Sequence, residues 1–199
     1  MAPVRTIAVI IAMEAEAAPL VEHLKLVKAR ESPLPGPIPA LVFSGDVHGA
    51  KVHVVTNGKS AAFGVDCVGT VPASLTAYGI CLALKPDILV NAGTAGGFKA
   101  MGGAIGDVYL ASAFKNHDRR IPIPGFDTYA IGAVDAFPTP ALRAAMGFKD
   151  GVVSTGNSLD APEVDLASLK ANDASVKEME AAGIAHTARM VCPPPACRS

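Results

Sequence analysis

The sequence predicts a single α/β domain built on a mixed sheet, and three observations point to it. Apolar, β-branched runs of strand length alternate with segments of helical spacing along almost the whole chain. Ile88-Leu89-Val90 runs directly into Asn91-Ala92-Gly93-Thr94-Ala95-Gly96-Gly97, the pattern of a buried strand ending in a glycine-rich turn. Half of the 199 residues are apolar and only 18% are charged, enough to bury one sizeable core and too apolar for disorder. No internal repeat and no interdomain linker divides the chain.

Residues 4–11 are rich in β-branched side chains and read as the first strand. A helix follows from Glu14 to about Lys25, with Leu20, Val21 and Leu24 on one face. Residues 31–39 hold four prolines and a glycine and form a loop. Residues 41–44 and 51–56 are two further strands, and Gly45-Asp46 between them suggests a hairpin. A helix over about 71–84 is closed by Lys85-Pro86-Asp87 before the strand at 88–90. Strands at 107–111 and 151–154 and a short helix at 140–146 come next, with a proline-punctuated loop over 117–128. Residues 155–158 are a loop, residues 164–169 look helical, and a last helix runs from Glu178 to about Met190 with no strand after it. The segment Cys192-Pro193-Pro194-Pro195-Ala196-Cys197 fits neither element.

Composition excludes several functions. Seventeen basic against eighteen acidic residues, a formal net charge of −1, leave no electrostatic footprint for nucleic acid or an acidic membrane. Trp is absent, which also argues against a base-stacking surface. Residues 67–84 carry no charge, but Gly69, Thr70, Pro72, Ser74, Thr76 and Gly79 make a core or subunit-interface helix the better reading than a membrane span. The apolar run at the N-terminus is too short to span and has no small-residue cleavage site after it. Cys67 and Cys81 sit among apolar residues as buried thiols. Cys192 and Cys197 have no second Cys/His pair at ligand spacing, so neither zinc nor a disulfide framework is expected. These features fit a reducing, cytoplasmic compartment.

The glycine-rich turn lies where open α/β sheets bind small molecules, outside the carboxyl ends of the strands. It lacks the Gly-x-Gly-x-x-Gly order of a dinucleotide site. Glu14 and Glu16 follow the end of the first strand, as helix-capping acids or as a catalytic carboxylate. Glu178-Met179-Glu180 opens the last helix in the same manner, either as a solvated first turn or as an acceptor for sugar hydroxyls, with Met179 suited to a variable pocket. His117-Asp118 reads as a polar loop near the pocket rather than a catalytic dyad, and His186 as a core or capping histidine.

Together these segments resemble a known family. Ala12-Met13-Glu14-Ala15-Glu16, residues 91–97 and Lys177-Glu178-Met179-Glu180-Ala181-Ala182-Gly183-Ile184-Ala185-His186 stand in the order and spacing of the 5′-methylthioadenosine/S-adenosylhomocysteine nucleosidases. These are the nucleoside-hydrolysing branch of the purine nucleoside phosphorylase superfamily. The resemblance covers roughly residues 5–187, and Gly58-Lys59-Ser60-Ala61-Ala62 and Pro122-Ile123-Pro124-Gly125-Phe126-Asp127 are similar to its plant branch.

The resemblance implies a nucleoside phosphorylase-like three-layer fold and cleavage of the adenine–ribose bond of methylthioadenosine, with S-adenosylhomocysteine as a second candidate substrate. It implies Glu16 as the water-activating carboxylate and Thr94, Ala95 and Gly96 as a substrate-binding turn. It further implies Leu159 and Asp160 as the adenine segment, Met179 and Glu180 at the ribose, where Glu180 accepts from the 2′- and 3′-hydroxyls, and Lys177 and Glu178 among the substrate-binding residues. No metal or organic cofactor is implied. The implied partner is an adenine nucleoside, and the implied assembly is a homodimer or a dimer with a full-length subunit.

One departure shapes the expectation. In the family a further strand ending in Ser-Asp follows, and its Asp protonates the departing adenine. Here no Asp or Glu follows Glu180. The expected organisation is an incomplete nucleosidase-like domain over 1–190, lacking the last core strand and helix, and a divergent Cys/Pro tail over 191–199. Such a chain is expected to turn over poorly. Two alternatives stay open: a phosphate-dependent nucleoside phosphorylase, and a non-catalytic truncated binding, storage or partner-modulating isoform.

Overall fold

The computed structural model describes residues 3–191. In chain order the elements are β1 (Thr6–Ile10), α1 (Glu14–His23), β2 (Val27–Lys28), β3 (Leu41–Val47), β4 (Ala50–Thr56), α2 (Thr70–Ala83), β5 (Ile88–Asn91) and β6 (Gly96–Gly97). A 3-10 turn (Lys99–Met101) leads to β7 (Tyr109–Asn116), α3 (Asp127–Ile131), β8 (Val134–Asp135), α4 (Pro140–Met146), β9 (Lys149–Thr155), α5 (Glu163–Ala171), β10 (Ala174–Glu178) and α6 (Ala181–Val191).

The strands form two five-stranded mixed sheets, ordered β2-β3-β4-β1-β5 and β6-β10-β9-β7-β8. In the first, β1 lies parallel between β4 and β5, and the antiparallel β2 and β3 extend it on the β4 side. In the second, β7, β9 and β10 run parallel, and the two-residue strands β6 and β8 close its edges antiparallel. The central strand β1 of the first sheet is nearly all apolar, with Ala8 and Ile10 fully buried. Ala8, Ile10, Val55 and Leu89 pack on Ala73, Ala77 and Ile80 of α2 and on Ile184 and Ala188 of α6. Ile11, Val52 and Val54 pack with Ala17 of α1 and Leu26. These are the three layers.

α6 reaches both sheets. Its Ala181 packs on Val153 and Val176 of the second sheet, while Ile184 joins the core of the first. Close crossing with α2 requires Gly183, where an added Cβ would lie 3.0 Å from both the Ser74 hydroxyl and the Thr70 carbonyl. The outer face of α2 presents Val71, Leu75, Tyr78 and Leu82, at helical spacing and 44–69% exposed. Among the described residues no helix is long and apolar enough to cross a membrane.

The structure moves three boundaries that sequence patterns suggested. Gly45 and Asp46 are not a turn but lie within β3, paired with Val52 and Lys51. The hairpin turns at His48 and Gly49, both at positive φ, as a two-residue loop with the twist of its strands demands. Gly45 instead makes room for Leu26, whose Cδ2 would lie 2.8 Å from a Cβ there. Residues 174–178, read from sequence as preceding or opening the last helix, form β10, so Glu178 ends a strand. Its three-residue buried stretch followed by Lys177-Glu178 is too short to display a strand period. The third boundary is β7, which runs to Asn116, five residues past the expected end. The segment 192–199, with Cys192 and Cys197, lies outside the described residues.

Candidate active site

Parallel pairing of β1 with β5 carries α1 and the glycine-rich turn out of the same sheet edge side by side. Ala92 N–H donates to the Ile10 carbonyl at 3.0 Å, so the turn starts at the end of β1. The two acids of the first turn of α1 then point apart. Glu14 faces the Lys59 ammonium at 3.6 Å, and its N–H donates to Asp66. Glu16 faces the turn: its Oε1 accepts from the Thr94 N–H at 3.1 Å and the Thr94 hydroxyl at 2.5 Å. Its Oε2 lies over Gly93, 3.4 Å from where a Cβ would stand, and accepts no hydrogen bond among the described residues.

The second wall comes from the ends of β9 and β10. Glu178 and Glu180, two residues apart, have different fates. The Glu178 carboxylate caps α6: Oε2 accepts from the N–H groups of Glu180 at 2.8 Å and Ala181 at 2.7 Å, and Oε1 accepts from the Thr155 hydroxyl. That hydroxyl in turn accepts from Ala182 N–H at 2.9 Å. Burial pushes the Glu178 carboxyl above the usual carboxylate range, against the lowering effect of those hydrogen bonds.

Glu180 reaches instead to the start of α2, where its Oε1 accepts from Gly69 N–H at 2.7 Å. Gly69 has φ 97, a conformation that favours glycine and aims this N–H at the pocket. Burial also pushes the Glu180 carboxyl up, and the negative charge of Glu16 adds to the shift. The two carboxylates therefore share one electrostatic environment. Met179, half-buried, sits in the connection between Glu178 and Glu180.

A third segment, 155–160, leaves β9. Asn157 fixes its start: Oδ1 accepts from Thr70 N–H at 2.9 Å and the Thr70 hydroxyl at 2.8 Å, while its own N–H and Nδ2 donate to Asp118 Oδ2 at 2.6 and 3.0 Å. Leu159 is 87% exposed, and Asp160 is exposed as well. The Lys177 ammonium donates to the carbonyls of Ser158 at 3.4 Å, Leu159 at 2.8 Å and Asp160 at 2.7 Å. Lys177 is also the strand partner of Gly96.

The structure thus joins Glu16 directly to Thr94 and Lys177 directly to the backbone of Leu159 and Asp160. It couples Glu16 to Glu180 through charge. Ala95 is exposed and Gly96 is held by β10. The side chains of Glu178 and Lys177 are engaged within the protein. Asp118 is spent on Asn157 and is no partner in a dyad with His117. His117 is buried, with Nδ1 3.2 Å from the Ser154 hydroxyl, and desolvation pushes its pKa down. His186 meets the Tyr129 ring edge-on at 6.5 Å. Sequence patterns did not single out Asn157, Thr155 or Gly69. A Thr-Gly-Asn run at the end of a strand was the available signal for the first two. No cluster of three potential metal ligands exists among the described residues.

The Phosphorylase superfamily model matches residues 6–196. A 5′-methylthioadenosine/S-adenosylhomocysteine nucleosidase of Arabidopsis thaliana is 46% identical over 186 residues, covering 94% of this chain and 73% of the relative. The solved structure of the Arabidopsis thaliana 5′-methylthioadenosine nucleosidase in apo form superposes with a TM-score of 0.92 at 47% identity, covering 94% of this chain and 77% of the other. A nucleosidase of the same kind from Colwellia psychrerythraea, solved in complex with adenine, gives a TM-score of 0.74 at 26% identity over 94% of this chain and 78% of that one.

Proposed function

The chain belongs to the Phosphorylase superfamily and, within it, to the 5′-methylthioadenosine/S-adenosylhomocysteine nucleosidases, and on that premise we propose how its residues divide the work of hydrolysing 5′-methylthioadenosine to adenine and 5-methylthioribose. The observation that carries the assignment is the pairing of Glu16 with Thr94.

Cleavage of an N-glycosidic bond passes through an oxocarbenium-like transition state and needs an activated water. Glu16 takes the proton from that water. Thr94 occupies its Oε1 and fixes the carboxylate plane, which leaves Oε2 for the nucleophile. Glu180 accepts from the ribose hydroxyls, with Met179 beside the sugar. Leu159 lies against the adenine ring, and the backbone at Leu159–Asp160 reads its edge. Glu178 holds the first turn of α6 so that Glu180 projects from a rigid start.

The departing adenine needs a proton to leave as a neutral base. A second reading, an adenine-nucleoside binding subunit without turnover, would use the same Glu180 and Leu159–Asp160 groups. The exposed apolar stripe Val71, Leu75, Tyr78, Leu82 supports self-association or pairing with a full-length subunit through α2.

The test measures adenine released from methylthioadenosine by the purified chain, with and without phosphate, beside calorimetry with adenine. Phosphate-independent release supports the nucleosidase. Adenine binding without release supports the binding subunit, and phosphate-dependent release would overturn both.

A further inference from the structure

We propose that Lys177 is a positioning residue that holds the 158–160 segment as a rigid, polarised wall for the purine without touching the nucleoside itself. The proposal rests on the adenine-nucleoside reading above for its ligand, while the clamp itself is a property of the free protein.

The ammonium has three protons and no acceptor capacity. The structure gives it three acceptors, the consecutive carbonyls of Ser158, Leu159 and Asp160, and no carboxylate. Three successive carbonyls converging on one cation fix three peptide planes in a segment that otherwise carries an 87% exposed leucine. Loops of this exposure ordinarily open at little cost. The stem of Lys177 completes the link: its Cγ would lie 3.4 Å from a Cβ at Gly96, its partner across the β10–β6 ladder. One side chain therefore ties the substrate turn after β5 to the adenine segment after β9.

The chemistry of the captured carbonyls adds a second effect. Each belongs to a peptide unit whose N–H is that of the following residue, 159, 160 or 161. A cation on the oxygen draws density from that N–H and makes it a better donor. A purine presents ring nitrogens as acceptors, and these gain charge as the glycosidic bond breaks. Lys177 thereby delivers positive charge to the base through the backbone.

Lys177→Met keeps the stem and removes the cation. Lys177→Arg keeps the charge but presents a planar fork that cannot meet three carbonyls in the same way. In the apo chain, backbone order parameters at residues 158–161 are expected to fall from about 0.85 to below about 0.6 in Lys177→Met, with those of β9 and α6 unchanged. Calorimetry with adenine should show affinity weakened about tenfold by Lys177→Met and less by Lys177→Arg, since loss of one charge-assisted hydrogen bond is of that order. Unchanged order parameters at 158–161 in Lys177→Met would overturn the clamp, as would mobility raised evenly over the fold. Adenine affinity equal to wild type in Lys177→Met would overturn its role in purine binding. If the unaltered chain binds no adenine, the nucleoside reading fails, and the relaxation measurement still decides the clamp.

Discussion

Glu16 and Thr94 are joined twice, by the backbone N–H at 3.1 Å and by the hydroxyl at 2.5 Å, both on the same carboxylate oxygen. One oxygen is thereby fixed, and the other accepts no hydrogen bond among the described residues. Two parallel neighbours in one sheet, β1 and β5, make this contact possible, because their carboxyl ends deliver α1 and the turn to the same place.

Thr94→Val removes the hydroxyl and keeps the N–H. The carboxylate gains freedom to rotate, and misplacement of a catalytic group by about 1 Å costs up to ~10²-fold. Adenine release should fall about tenfold to a hundredfold with the melting temperature little changed. Thr94→Ser should retain most of the activity, and equal loss in both variants would count against the orienting role.

Glu180 has its carboxyl raised by burial and by the charge of Glu16. A group whose native pKa lies above its unfolded value contributes stability that is fully present below the unfolded pKa and is lost as pH rises through the native one. Glu180→Gln removes this loss. Denaturant melts from about pH 4 to about pH 8 should show the stability of Glu180→Gln rising relative to wild type as pH increases. Nucleoside affinity should run the other way, because only the ionised carboxylate accepts from both hydroxyls. Wild type gains affinity as pH rises through the native pKa of Glu180, and the variant stays flat.

Gly156 is a packing requirement. An added Cβ would lie 2.3 to 2.9 Å from atoms of the His117 ring, which is itself buried. Overpacking of this kind costs about 1–3 kcal/mol or more. Gly156→Ala should lower the denaturation midpoint by a corresponding amount. A midpoint equal to wild type would mean that His117 is not held where the structure places it.

Leu75 lies in the exposed stripe of α2, half out of the fold. If that stripe forms a subunit interface, Leu75→Glu should convert dimer to monomer in sedimentation without lowering the stability of the monomer. A wild-type chain that sediments as a monomer at all concentrations would remove the interface from α2.

Much of the pocket was legible because its groups stand at places that sequence patterns mark. Glu16 follows an apolar run, and Thr94 sits in a glycine turn after another. Glu178 illustrates the limit. Beside Glu180 it looks like a second pocket acid, yet its carboxylate caps α6, because β10 runs through Glu178 and α6 starts only at Ala181. Lys177 is a similar case. Its neighbours in sequence are pocket residues, but its partners lie 17 to 19 positions away across a parallel ladder. Contacts made by register between strands leave no local period to read. Gly45 shows the same from the other side: a glycine taken as a turn is one that Leu26 requires.

The most direct measurement follows adenine release from methylthioadenosine in phosphate-free buffer by the folded wild-type chain and by Glu16→Gln, with adenine calorimetry on both preparations. Release by wild type, its loss in Glu16→Gln and adenine binding by both are the predicted result. Equal release by the two proteins, or none from a wild-type chain that also fails to bind adenine, would contradict the account.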